Sequence, residues 1–428
     1  RLALVVALAG CGRFGFDARA GSDAPLDGAH DAASDGAIGS AQCGGIDLLA
    51  DTFTANVPSP QWYSYKNGGI TTVQMGGQLV ITLPATTIAS AAYGGFGSVF
   101  RYDVRGQRIA VEVPQTASTA TTAQTDIQLV SVKGDILSII EESGQLTASQ
   151  YINGTGTNLT MIPYNVGADR WWAFREDAGT LAFETSPDGV TFTLFSSIPT
   201  PAFASLVSFA LETGTFETVM NGGAGHFDNV NGGTPSGKFC PASTLRDDFN
   251  SGVIDDRWAG QFTSGTCTYG ESNGHVTIAL DTAGGEECAL RSATGFDLTN
   301  DAVFTEVVSA PGLAQTYTVL RASQQNGDNV ELSIAGTTLD CAQIINSSYS
   351  TSCSIPYDAV AHRFLRLRGS AGMIAWETSP DGMTWTTRAQ VASPIALDAV
   401  FLTIAAGTNG APAMASQAVF GTFDVLPP

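Results

Sequence analysis

A long internal repeat constrains this chain more than any other feature. Glu184-Thr185-Ser186-Pro187-Asp188-Gly189-Val190-Thr191-Phe192 returns 193 residues later as Glu377-Thr378-Ser379-Pro380-Asp381-Gly382-Met383-Thr384-Trp385. Other landmarks return in the same order: Asp51-Thr52-Phe53 as Asp247-Asp248-Phe249, Trp62 as Trp258, and Phe227-Asp228 as Phe423-Asp424. Gly77 to Leu83 returns as Gly274 to Leu280. A period this long exceeds any solenoid or propeller unit and matches a whole domain. The chain therefore reads as two tandem copies of one module, over 43–236 and 237–428.

Both copies read as all-β. Leu79, Ile81 and Leu83 alternate with Gln78, Val80 and Thr82, and Val276, Ile278 and Leu280 repeat the pattern. Period-two alternation sends one set to a buried face and the other away from it. Arg363 to Arg368 alternates so that Leu365 and Leu367 point inward, and its counterpart is Arg170 to Arg175. No long segment keeps a 3.6 period, and 48 glycines supply turns. Ser-Pro-Asp-Gly is the sharpest of these, with proline fixing φ at the second position. Flanking strands, Leu181 to Glu184 and Val190 to Leu194 in the first copy, make it a hairpin. Asp188 and Asp381 are then turn residues and not catalytic acids.

The sequence resembles the concanavalin A-like (laminin G-like) jelly roll. The resemblance rests on Asp-Asp-Phe at 247–249, Trp258, Arg-hydrophobic-Leu-Arg at 363–366, Ser-x-Asp-Gly-x-x-Trp ending at Trp385, and the closing Phe423-Asp424. Copy one matches with Thr52 and Phe192 as variants. The resemblance implies two antiparallel β-sandwiches after an N-terminal tether. It does not choose among lectins, glycanases, lyases and adhesive modules, since one fold hosts many functions.

Residues 1–11 end an apolar run in Leu8-Ala9-Gly10-Cys11, which resembles a bacterial lipobox. The run is too short to span a bilayer and fits a signal peptide. Cys11 is the expected lipid attachment point, which places an exported protein at the outer membrane or cell surface. Residues 12–42 are Gly, Ala, Asp and Ser-rich and read as a disordered acidic tether. The net charge of −21, with few lysines, excludes a phosphate-binding stripe and so nucleic acid. Membrane contact would come through the lipid alone.

Six cysteines remain, as in many exported proteins. Cys267 with Cys288 and Cys341 with Cys353 are near neighbours found only in copy two, and they read as added staples. Cys43 and Cys240 each sit shortly before the opening Phe of a copy, and pairing them would join the ends of the first. Six cysteines allow fifteen pairings, of which this set ranks first.

Known catalytic patterns are absent. Glycanases of the resembled fold carry Glu-x-Asp-x-x-Glu on one strand, and lyases carry Gln-x-His with Tyr-x-Lys-x-Gly. Neither set occurs here. His30, His226, His275 and His362 are scattered, and no metalloprotease or serine-hydrolase motif appears. The chain therefore reads as a non-enzyme. Residues kept in both copies serve the scaffold first, so Trp62/Trp258, Phe183/Trp376 and Phe192/Trp385 read as core aromatics. Trp171 and Arg175, with Phe364, Arg366 and Arg368 in copy two, would face outward and could stack and hydrogen-bond sugar. Asp51, Asp228, Asp247 and Asp424 form a candidate structural calcium set where terminal strands meet, and no other cofactor is called for. The reading is a cell-surface binding or adhesive module for extracellular or cell-wall polysaccharide. The alternative is a structural or protein-interacting envelope component with no sugar site, and glycan degradation ranks last.

Overall fold

The computed structural model describes residues 43–55, 57–85, 91–258 and 262–426. The expected signal segment, Cys11 and the expected tether lie outside the described residues. The described part of copy one contains fourteen strands: β1 (Trp62–Lys66), β2 (Thr71–Met75), β3 (Gln78–Leu83), β4 (Ala92–Ser98), β5 (Arg108–Gln115), β6 (Gln124–Val130) and β7 (Ile136–Glu142), followed by β8 (Gln145–Ile152), β9 (Thr155–Pro163), β10 (Trp171–Asp177), β11 (Thr180–Ser186), β12 (Thr193–Pro199), β13 (Ser208–Thr215) and β14 (Gly223–Asp228). They form two seven-stranded sheets, β1-β4-β13-β6-β7-β8-β9 and β12-β11-β10-β5-β14-β3-β2. The first is called here the A sheet and the second the B sheet.

Copy two repeats this topology strand for strand. Its A sheet runs Phe262–Ser264, Glu287–Arg291, Phe401–Thr408, Thr316–Ser323, Asn329–Ala335, Thr338–Ile345, Ser348–Pro356. Its B sheet runs Thr386–Ala392, Met373–Ser379, Phe364–Ser370, Ala302–Ser309, Ser416–Phe423, His275–Leu280, Thr268–Ser272. The chain is thus two tandem antiparallel β-sandwiches of jelly-roll type.

The alternating apolar residues meet between the sheets. Leu79, Ile81 and Leu83 are buried with Phe209, Leu211 and Trp172 in one core. Val276, Ile278 and Leu280 are buried with Leu365, Leu367 and Trp376 in the other. Trp62 and Trp258 lie in these cores, as do Phe183 and Trp376. Phe192 and Trp385 do not. They sit half-buried on the outward face of the B sheet, each under a guanidinium group, Arg108 at 4.4 Å and Arg366 at 4.0 Å. The core assignment is corrected for this pair because the turn carries its aromatic over the sheet's outer side.

The Ser-Pro-Asp-Gly hairpin joins β11 to β12. Asp188 Oδ1 accepts from the amides of Val190 and Thr191, both at 2.9 Å, and Asp381 Oδ1 does the same for Met383 and Thr384 at 2.8 and 2.7 Å. Gly189 and Gly382 both take φ +72°. The returning strand begins at Thr193, not Val190, because these turn bonds hold Val190 to Phe192 in the loop.

All three expected cysteine pairs are bonded. Cα separations are 4.8 Å for Cys43–Cys240, 6.0 Å for Cys267–Cys288 and 4.9 Å for Cys341–Cys353. The first joins the ends of copy one. The second ties Cys288 on the A sheet of copy two to the loop that enters the B-sheet strand Thr268–Ser272, and the third links directly paired residues of neighbouring strands.

Candidate functional site

On the B sheet, strand phase puts Trp172 in the core and Trp171 on the outer face, where it is half-buried. A Cβ on Gly189 would come within 2.7 Å of the Trp171 ring, so the indole already packs on the turn. Arg175 donates to Glu184 at 2.8 Å, and Arg108 holds the other oxygen of the same carboxylate at 3.0 Å. In copy two, Arg366 and Arg368 hold Glu377 in the same way, at 2.6 and 2.9 Å. Arg170–Glu112 and Arg363–Glu306 repeat as well. Phe364 is 1% exposed, closed over by the Arg363 guanidinium and packed near Phe304 and Gly382. Its expected role as a sugar platform is corrected, since an aromatic must present a free face to stack. The two-arginine, one-glutamate arrangement appears in both copies, which marks it as part of the scaffold.

The four candidate calcium aspartates have other partners. Asp51 accepts from the Phe53 amide at 2.7 Å and Trp62 Nε1 at 2.9 Å. Asp247 accepts from the Phe249 amide at 2.9 Å and Trp258 Nε1 at 2.8 Å. These bonds hold Phe53 and Phe249 at φ 49° and 51°, and the two aspartates bridge to Val230 and Phe423 on the closing segments. Asp228 accepts from the Asn229 amide, and burial pushes Asp424 up to about 7 although Arg246 lies 3.8 Å away. Among the described residues no group of three or more His, Cys, Asp or Glu side chains is placed to hold a metal ion.

A different face carries unneutralised chemistry. The outer side of the A sheet in copy one forms a cleft of about 290 Å³. Its floor comes from β13, β6, β7 and β8, where alternate residues Gln124, Asp126, Gln128, Ser138 and Glu212 point out of the sandwich. Asp126 and Glu212 stand directly opposite each other on paired strands. They are 3% and 5% exposed. Gln128 Nε2 lies 3.3 Å from Asp126 Oδ2 and 3.3 Å from Glu212 Oε1, and the Tyr65 hydroxyl donates to Glu212 Oε2 at 2.8 Å. Asp126 Oδ1 is buried with no hydrogen-bond partner among the described residues. Burial pushes Glu212 up to about 7, and burial followed by the Glu212 charge pushes Asp126 well above the usual carboxylate range.

Tyrosines extend this floor toward the sheet edge. Tyr63 and Tyr65 alternate outward on β1, with ring centroids 6.0 Å apart. The neighbouring strand β4 reads Ala-Tyr-Gly-Gly-Phe-Gly-Ser, and a Cβ on Gly97 would lie 2.5 Å from the Tyr63 ring. Glycine there lets the ring lie across the sheet. Tyr93 donates to Gln124 Oε1, and Gln124 Nε2 donates to Glu142 at 2.8 Å.

Copy two does not carry this site. Register places Ala405 at the position of Glu212 and Val319 at that of Asp126. Ala289, Val319 and Ala405 form a small buried apolar cluster with Tyr317 packed against it. Arg321 stands where copy one has Gln128 and pairs with Glu331 at 2.7 Å and Glu287 at 3.1 Å. The same sheet therefore folds without the acids, and leaving two like charges buried is unfavourable. The acid pair is not required by the scaffold. Sequence reasoning missed it, although Gln124-x-Asp126-x-Gln128 alternates on one strand. Extending the 193-residue offset to Glu212/Ala405 and Asp126/Val319 would have found it.

No protein-family model and no curated protein matches the chain. Solved structures similar to it include a beta-glucanase of Bacillus licheniformis, at 15% identity over 44% of this chain and 98% of that one, with a TM-score of 0.34. The endo-beta-1,3-glucanase of Pyrococcus furiosus is 9% identical over 42% and 91%, TM-score 0.33. The Ca2+-bound exoplasmic/lumenal domain of VIP36 is 12% identical over 42% and 87%, TM-score 0.32. At scores of this size a likeness carries no functional inference, and function has to come from the cleft.

Proposed function

We propose that this protein is a non-catalytic polysaccharide-binding module whose site is the A-sheet cleft of copy one. One observation carries the reading: a polar, tyrosine-edged cleft is open in one copy and filled by apolar and ion-paired side chains in the other. Pyranose rings present an apolar face that suits tyrosine, and their hydroxyls suit amide and carboxylate partners. Tyr63, Tyr65, Gln128 and Glu212 are the residues expected to touch sugar. Retention of the full chain on a panel of immobilised polysaccharides tests this, with Tyr65→Ala and Glu212→Gln expected to weaken retention about tenfold or more while the fold persists. No retention on any polysaccharide would favour the structural envelope role instead.

A second reading, hydrolysis of a glycosidic bond, is favoured by the raised carboxyl groups, since glycosidases pair a protonated acid with a second carboxylate. Release of new reducing ends by the wild type but not by Glu212→Gln would establish it. Attachment to the membrane through Cys11 completes the proposal. Cys11→Ser should move the exported protein to the soluble fraction.

A further inference from the structure

The cleft holds an acid pair with no cation of its own. Among the described residues, no lysine or arginine lines it. Arg101, near Tyr63, is engaged elsewhere and donates to the Val130 carbonyl at 2.9 Å. A third carboxylate, Glu142, stands beside Gln124 at the cleft's other side. Asp126 is almost wholly buried, lines the cleft, and keeps Oδ1 unpartnered. At the same register, copy two has Val319 and Ala405 in place of the acids and a guanidinium at the Gln128 position, where Arg321 pairs with Glu287 and Glu331. The acids of copy two on this face thus have a cation within the fold, and the pair in copy one does not.

We propose that the cleft takes a polysaccharide bearing free amino groups, with one ammonium seated between Asp126 and Glu212. This deepens the binding role proposed above and rests on it. An ammonium supplies three donors, which suits Asp126 Oδ1 and the Glu212 carboxylate together. Charge-assisted bonds of this kind are about twice as strong as neutral ones. Tyr65 and Tyr63 flank the acids and can add cation–π attraction. A metal ion fits less well, because among the described residues no third His, Cys, Asp or Glu joins the two acids in a metal-holding group. A neutral sugar brings no positive charge to the acid pair and so gains no charge-assisted bond there.

Titration calorimetry on the full chain distinguishes the outcomes. The probes are a glucosamine hexasaccharide, its fully N-acetylated counterpart and a glucose hexasaccharide. Physiological salt, with a screening length of about 8 Å, suppresses general attraction to an acidic protein. The expected result is glucosamine binding at least about tenfold tighter than either neutral probe. That preference should shrink to about twofold or less in Asp126→Asn/Glu212→Gln, where the net charge of −21 changes by at most two and general attraction survives. Equal binding of all three probes would overturn the ammonium assignment and leave the polysaccharide role standing. Binding of none, by a wild type that melts cooperatively, would overturn both. A preference that persists undiminished in the double variant would place the amine elsewhere and also overturn the assignment.

Discussion

At the scale of single residues, Glu212 and Asp247 show two ways in which a carboxyl group bears on stability. Glu212 is held near 7 by burial, above the ordinary value of 4.5. The folded chain therefore keeps a proton, between those values, that the unfolded chain has lost. Stability from this group is fully present below about 4.5 and falls as pH rises through about 7. Glu212→Gln should match the wild type near pH 4.5 and exceed it at pH 8 by about 1–3 kcal/mol. Urea melts at the two pH values check this, and an equal difference at both would contradict it. Glu141 and Asp424, also raised to about 7 by burial, add to the same slope and remain in both proteins, whereas Asp126 loses the Glu212 charge that helps raise it and so adds to the difference at pH 8. Asp247 acts through its hydrogen bonds, Oδ1 accepting from the Phe249 amide and Oδ2 from Trp258 Nε1. Asp247→Ala leaves the Phe249 amide and Trp258 Nε1 without their acceptor, and should cost about 2–4 kcal/mol with altered tryptophan fluorescence.

At the scale of elements, strand pairs and turns carry the argument. Gly189 sits at φ +72° beneath the Trp171 ring, and Gly179 sits at φ +83° with open space around its Cβ position. Gly179→Ala should cost only the backbone strain of about 1 kcal/mol, while Gly189→Ala should cost more and shift tryptophan emission. Equal costs would show that the indole does not rest on the turn. The β6–β13 pair allows a sharper test. Gln128→Arg puts an arginine where copy two has Arg321, although the glutamates that Arg321 pairs with stand at other positions. It should stabilise the sandwich by about 1–3 kcal/mol, by placing a guanidinium beside Asp126 and Glu212, and should abolish polysaccharide retention. Retention unchanged by the new cation would remove the cleft from consideration. The hairpins and apolar strand phases were legible in the sequence, because period-two alternation and Ser-Pro-Asp-Gly act locally. The cleft was not, because Asp126 and Glu212 lie 86 positions apart and meet only when β6 pairs with β13.

At the scale of the whole molecule, the copies touch through a small aromatic cluster. Phe100 of copy one lies 4.5 Å from Phe401 of copy two and 5.0 Å from Phe239 in the connecting segment, and the Arg101 amide donates to the Ala293 carbonyl at 3.1 Å. Cys43–Cys240 closes copy one just before this junction. Cys43→Ser/Cys240→Ser should lower stability by about 2–5 kcal/mol, because the bond closes a loop of domain length. Two separate unfolding transitions in the variant would show that the staple also keeps the copies coupled.

The sequence by itself determined the duplication, the all-β class, the inward faces of the strands and the first-ranked cysteine pairs. Each of these rests on order, period or spacing, which a linear text preserves. Tertiary structure alone decided that Phe364 is covered, that the arginines beside Trp171 are already committed to Glu184, and that Phe192 and Trp385 leave the core. It also decided that two carboxylates distant in sequence share one buried floor. Such facts depend on which strands become neighbours and what lies over each face. Long-range pairing sets both, and no local pattern records them.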